Sequence, residues 1–196
     1  MRCGHWLMAG GLVVAGLTPR GSAAGEPVHQ PGLVVHLVEL AQLPDRDLAV
    51  AKIEAERIFR VAGVDIVWAG RPIPIPSSVA AQHGCPHPHV VIFLTNAQKP
   101  ASEGDEAGGE AARKIGRAYV FLNRIEAESK QHQTDHALVL GRVMAHEIGH
   151  LLLPPHSHVP FGIMQPNIDF GPVGFHIFFD PEQARTIRTT LMAGAR

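Results

Sequence analysis

His146-Glu147-Ile148-Gly149-His150, with His156, His158 and Gly162-Ile163-Met164 just downstream, is the stretch on which the reading of this chain turns. The two outer histidines stand four residues apart, so on an α-helix both imidazoles project from one face. Such a pair can hold a single Zn2+ between them, and a glutamate directly after the first histidine is placed to act as general base on a water at the metal. Val139, Val143, His146 and His150 continue the same stripe, and Val143, Met144, Ile148, Leu151 and Leu152 surround it, so the stripe cannot be wholly exposed. The bland alternative is two core histidines satisfied by carbonyls, with Glu147 as a solvated helix residue. Two neutral imidazoles on a half-buried helix need partners, and the further histidines downstream offer them.

The spacing predicts that this helix starts near Thr134 or Asp135. It must end by Leu153, because Pro154 biases the residue before it away from the α region. Upstream, Leu33 to Leu40 is apolar and β-branched between Pro31-Gly32 and Pro44, and reads as a buried first strand. Asp45 and Asp47 offer N-cap chemistry for a helix to about Ala62, with Val50, Ile53, Ile58 and Val61 as its apolar positions and Gly63 as its stop. Val64 to Trp68 completes a β-α-β unit, so a right-handed crossover and a parallel pair are expected. Residues 71–88 read as loop, Val90 to Leu94 as a third strand, residues 97–114 as a polar Gly-rich surface loop and Ala118 to Leu122 as a fourth strand. Asp180-Pro181-Glu182 reads as an N-cap followed by proline at the first helical position, opening a closing helix to about Met192.

A catalytic zinc takes three protein ligands and keeps one position open. His156 and His158 both follow His150 closely enough to be the third. At this point the chain resembles the metzincin clan of zinc peptidases, whose motif is H-E-x-x-H-x-x-G-x-x-H followed by a methionine-containing turn. His146, Glu147, His150 and His156 match that spacing, and Met164 stands in a plausible Met-turn after Gly162. Where the clan has glycine this chain has Leu153, followed by Pro154-Pro155, so the chain leaves the helix by a different path. That gives His158 a claim as an alternative third ligand. It stands four residues before Gly162-Ile163-Met164, as in a set of exported bacterial metzincin-like proteins that this stretch also resembles. A rival scheme would use a carboxylate on a later helix, for which Glu182 is the candidate.

The resemblance implies an α/β (α+β) fold: a compact metzincin-like domain with a twisted, mostly parallel sheet of about four strands, a zinc-site helix, a Met-turn and a C-terminal helix. It implies Glu147 as the catalytic base, Met164 as a hydrophobic floor under the metal, and Ala118 to Leu122 as a sheet edge able to pair with an extended peptide. The expected activity is that of a zinc metalloendopeptidase acting on a peptide or protein substrate. A zinc hydrolase of non-peptide or cell-wall amides uses the same chemistry. An inactive zinc-holding domain is disfavoured by Glu147, since a structural site needs no general base.

The ends of the chain bear on its setting. Arg2, the apolar stretch Trp6 to Leu17 and Ser22-Ala23-Ala24 read as a signal peptide over residues 1–24, leaving residues 25–196 as a single exported domain, periplasmic or secreted. Cys3 leaves with that segment, so Cys85 stands alone in the mature chain and no internal disulfide is expected. The formal net charge of −1 disfavours nucleic acid or an anionic membrane as the main partner. His83-Gly84-Cys85-Pro86-His87-Pro88-His89 concentrates donors that a second metal could use, although its prolines scatter them along an extended path.

Overall fold

The computed structural model describes residues 30–70, 88–97, 109–168, 170 and 177–194. The expected signal segment and the His83, Cys85 and His87 positions lie outside the described residues. In chain order the elements are β1 (Gly32–Glu39), α1 (Asp45–Val61), β2 (Asp65–Ala69), β3 (His89–Thr95), β4 (Gly109–Ala112), a 3-10 turn (Arg113–Ile115), β5 (Arg117–Phe121), α2 (Leu122–His132), α3 (His136–Leu152) and α4 (Pro181–Gly194). The strands form one sheet in the order β2-β1-β3-β5-β4, parallel except for β4 against β5. The architecture is α/β with a mostly parallel sheet, as expected.

The opening β-α-β unit forms because its apolar residues alternate on the strands and recur at helical spacing on α1. Leu33, Val35 and Leu37 of β1 bury one face of the sheet, and Leu48, Ala51, Ala55, Ile58 and Phe59 of α1 belong to the same core. The α1 stripe differs from the expected one: Ile53 and Val61 are exposed, and two alanines take the close-packed positions. Pro44 stands at the N-cap without a side-chain cap, so Asp45 and Asp47 act in the first turn, where their charges face the positive end of the helix dipole.

Two elements escaped the sequence. Part of the expected surface loop 97–114 is β4, whose Gly-Glu-Ala-Ala carries no strand signal. It is a strand because β5 supplies the ladder, with Gly109 opposite Val120 and Ala112 opposite Arg117, and Gly116 at φ 61° closes the hairpin. Among the described residues the sheet therefore has five strands, not four. The strand around Ala118 to Leu122 is not the edge, because β4 covers it. Leu122 itself begins α2, a largely polar helix that buries only Leu122 and Ile125 and so shows little apolar periodicity.

α3 is the axis of the domain. Asp135 Oδ1 caps it by accepting from the amides of Ala137 at 2.8 Å and Leu138 at 3.3 Å. Every residue from Val139 to Gly149 is buried, so the helix is enclosed by α1, the sheet and the other helices rather than half-exposed. At Gly141 a Cβ would stand 2.5 Å from the Ala51 carbonyl oxygen. The missing side chain is what lets α1 and α3 approach. Beside that crossing, Glu54 pairs with Arg57 at 2.8 Å and with buried Arg142 at 3.3 Å. Burial pushes the Glu54 carboxyl up, but the hydrogen bonds and charges of Arg57 and Arg142 outweigh it and hold the group below its ordinary value. No helix among the described residues is long and apolar enough to cross a membrane.

Candidate metal centre

α3 presents His146 and His150 on one side, as the four-residue spacing requires. His146 is 1% exposed and Glu147 is fully buried. After Leu152 the helix stops: Leu153 is extended, at φ −93° and ψ 161°, as the residue before a proline should be. The Pro154-Pro155 step leads to His156, which takes a left-handed φ of 59° and is exposed. That turn sends the following residues back toward the helix end, and it is His158 that meets the pair on α3. The structure brings together His146, His150 and His158. It does not bring His156 to them; Pro154 and Pro155 follow Leu153, which stands where the clan spacing has glycine.

The three rings converge through their Nε2 atoms. His150 Nε2 lies 2.9 Å from His146 Nε2 and 3.1 Å from His158 Nε2. His146 Nδ1 stands 2.7 Å from the carbonyl oxygen of Ile163, so Nδ1 carries the proton and Nε2 the lone pair. The single Nε2 of His150 cannot bond both neighbours through one proton, whereas one cation satisfies all three nitrogens. The ligand atoms of these residues all lie within 4.8 Å of one another, close enough to hold a metal ion. Zn–N bonds of about 2.05 Å in tetrahedral geometry place ligand nitrogens about 3.3 Å apart. The spacings from His150 to His146 and to His158 need only a few tenths of an ångström to fit. Three imidazoles are a donor set that suits zinc.

The turn that follows His158 packs against α3. Gly162 at φ 96° makes it, and the Gln165 amide donates to the Gly162 carbonyl. Met164 is fully buried, and its Sδ would stand 2.6 Å from a Cβ placed on Gly149. Gly149 is therefore glycine because methionine sulfur and the Phe179 ring, 2.9 Å from the same point, press directly on the helix backbone between the two ligands. The Ile163 amide donates to the Phe178 carbonyl at 3.0 Å, which anchors the carbonyl that orients His146.

No protein-family model matches the sequence, and no curated protein matches it. Among solved structures the chain is similar to a zinc-dependent peptidase from Methanocorpusculum labreanum, with a TM-score of 0.47 and 18% identity over 83% of this chain and 97% of that one. It is similar also to an archaemetzincin from Archaeoglobus fulgidus complexed with malonate, with a TM-score of 0.45 and 18% identity over 79% of this chain and 99% of that one. A third is the archaemetzincin from Methanopyrus kandleri, with a TM-score of 0.49 and 16% identity over 89% of this chain and 98% of that one.

The remaining candidates divide clearly. Glu182 is exposed in the first turn of α4, where Asp180 Oδ1 caps its amide at 2.8 Å, and is not in the three-histidine group. Two residues the sequence did not flag lie against the candidate residues. Gly109, at the start of β4, lies so close to Glu147 that a Cβ there would overlap the carboxylate. Gln183 of α4 is 6% exposed and reaches the loop that carries His158. Only a contact map could reveal them, because glycine and glutamine carry no pattern signal of their own.

His89, the described member of the His-rich run, meets His36 of β1 at 2.9 Å between Nδ1 and Nε2. Their rings are nearly coplanar, 20° apart, with centroids 5.2 Å apart, so the two nitrogens meet head-on. His36 Nδ1 lies 3.2 Å from the Gly70 carbonyl, leaving Nε2 as the acceptor. This is the geometry of an N–H···N hydrogen bond. In the triad the His146 and His150 centroids are only 4.5 Å apart at the same nitrogen separation, and the rings stand at 82°, so their lone pairs converge instead.

Proposed function

We propose that this chain is an exported, zinc-dependent metallopeptidase in which His146, His150 and His158 hold the metal and Glu147 is the general base. The observation that carries the reading is the convergence of three histidine Nε2 atoms beside a buried glutamate. A zinc ion held there would draw the pKa of a water toward neutrality and polarise a carbonyl. Glu147 takes the proton from the attacking water and returns it to the leaving amine. The helix fixes its position relative to both α3 histidines, and Gly109 leaves room for the carboxylate against β4. The ligand order differs from the clan spacing only in its third member, His158 for His156.

The edge that offers main-chain groups to an extended peptide is then β4, the outermost strand on that side among the described residues, rather than the strand expected from the sequence. Pairing there would give affinity with little side-chain preference. Export follows from the reading of residues 1–24 as a signal peptide cleaved after Ala24, which N-terminal sequencing of the mature protein checks.

The deciding experiment compares wild type with Glu147→Gln for bound zinc and for hydrolysis of a broad peptide mixture. The reading expects equal zinc in both and cleavage only in wild type. Zinc in both with no Glu147-dependent cleavage would reject the peptidase assignment and leave a zinc-holding domain.

A further inference from the structure

We infer that Gln183 is a positioning residue for the metal centre, acting through His158. The inference rests on the reading of His158 as a ligand. The segment from Pro154 to His158 is short, carries two prolines and a left-handed residue, and has no regular structure to hold it. Its course is set from outside. Gln183 Nε2 donates to the Ser157 carbonyl at 2.9 Å, one peptide bond before His158. The same amide group accepts the Asp180 amide through Oε1 at 3.2 Å, so both ends of the side chain are committed and its rotamer is fixed. The Gln183 backbone amide is itself held by Asp180 Oδ1 at 2.7 Å. A buried carboxamide with its donor and acceptor both engaged is a rigid strut.

The strut stands on a firm base. α4 is docked through Ala184, Ile187 and Leu191, all buried, and Thr190 Oγ1 donates to the Leu152 carbonyl at the C-terminal end of α3 at 3.2 Å. The helix that carries His146 and His150 and the loop that carries His158 are thus referenced to one element, α4. His146 is oriented by the Ile163 carbonyl and His150 by the helix. Among the described residues Gln183 makes the corresponding side-chain contact for the third ring's backbone. Asp180-Pro181-Glu182-Gln183 is then more than a helix start: its capping aspartate orients the residue that sets the third ligand.

The test is a double-mutant cycle on zinc affinity, read by competition with a chromogenic chelator, in the full mature chain. Gln183→Met keeps length and burial but removes both hydrogen bonds, and should weaken zinc binding about 10- to 100-fold. His158→Ala should weaken it more. In the His158→Ala background Gln183→Met should have no further effect, because a residue acting through His158 has nothing left to position. The metal-free thermal midpoints of wild type and Gln183→Met report any general loss of fold. If the methionine variant fails to fold, Gln183→Glu serves instead: it can still accept from Asp180 but cannot donate to Ser157 when ionised, and should show the same pattern.

Unchanged affinity in the single variant, or equal losses in both backgrounds, would overturn the inference. If His158→Ala leaves zinc affinity unchanged, the ligand assignment itself has failed, which is a separate and recognisable outcome.

Discussion

Replacing Gly141 by alanine sets two effects of opposite sign against each other. On helix propensity alone Gly→Ala in a helix interior stabilises by about 1 kcal/mol. The new Cβ, however, would stand 2.5 Å from the Ala51 carbonyl oxygen and 2.7 Å from the Glu54 Cβ. An ordinary C···O contact is about 3.4 Å, so something must retreat by close to 0.9 Å. The obstacle is backbone, and a backbone oxygen cannot step aside by changing rotamer. α1 itself must shift, which strains the Glu54–Arg142 pair next to it.

Overpacking of a tight core costs about 1–3 kcal/mol, and a backbone obstacle puts this site at the upper end, near 3 kcal/mol. The net is a destabilisation of about 2 kcal/mol, or a fall in Tm of about 4–8 °C for a domain of this size. Thermal unfolding followed by circular dichroism measures it, on metal-free and zinc-loaded protein. Zinc stoichiometry should not change, because Gly141 faces α1 and not the histidines. A Tm equal to or above that of wild type would refute the reasoning and show that the α1–α3 approach has slack.

Other perturbations probe other layers. Glu54→Gln leaves Arg142, whose side chain is 7% exposed, without its buried counter-charge, and should cost about 3 kcal/mol at neutral pH in chemical denaturation. Because the folded pKa of Glu54 lies below its ordinary 4.5, its contribution is full above that value and is lost as pH falls through the lower folded one. Wild-type Tm should therefore fall more steeply than that of Glu54→Gln below about pH 4.5, and parallel acid profiles would contradict this. Gly109→Ala forces the Glu147 carboxylate to move, so peptide turnover should drop about a hundredfold with zinc content intact, and unchanged turnover would remove Gly109 from the site. Gly149→Ala meets movable side chains, Met164 Sδ at 2.6 Å and Phe179 at 2.9 Å. Its main effect should be a zinc affinity lower by about tenfold, transmitted through the Ile163 carbonyl on His146, and a stability loss without that drop would break the link.

Much of this could be read from residues in order. The β-α-β opening, the cap at Asp135, the stop before Pro154 and the Asp180 cap of the last helix are local events, written in residues that act on their immediate neighbours. That His146 and His150 share one side of α3, with Glu147 between them in sequence, was legible for the same reason, since the helix period alone places them. The sequence leaves the third member open between His156 and His158, because which of them approaches the pair depends on how Pro154 and Pro155 redirect the chain. β4 was hidden because Gly-Glu-Ala-Ala has no strand preference and takes its form from β5. The exposed Ile53 on α1 shows the same limit, as alanines displaced the larger side chains wherever helices had to come close.

Zinc content of His156→Ala and His158→Ala, measured by elemental analysis on purified mature protein, decides which histidine completes the metal centre. Ligation by His158 requires about one zinc per chain in His156→Ala, as in wild type, and a large loss in His158→Ala. Zinc retained in His158→Ala and lost in His156→Ala would contradict it.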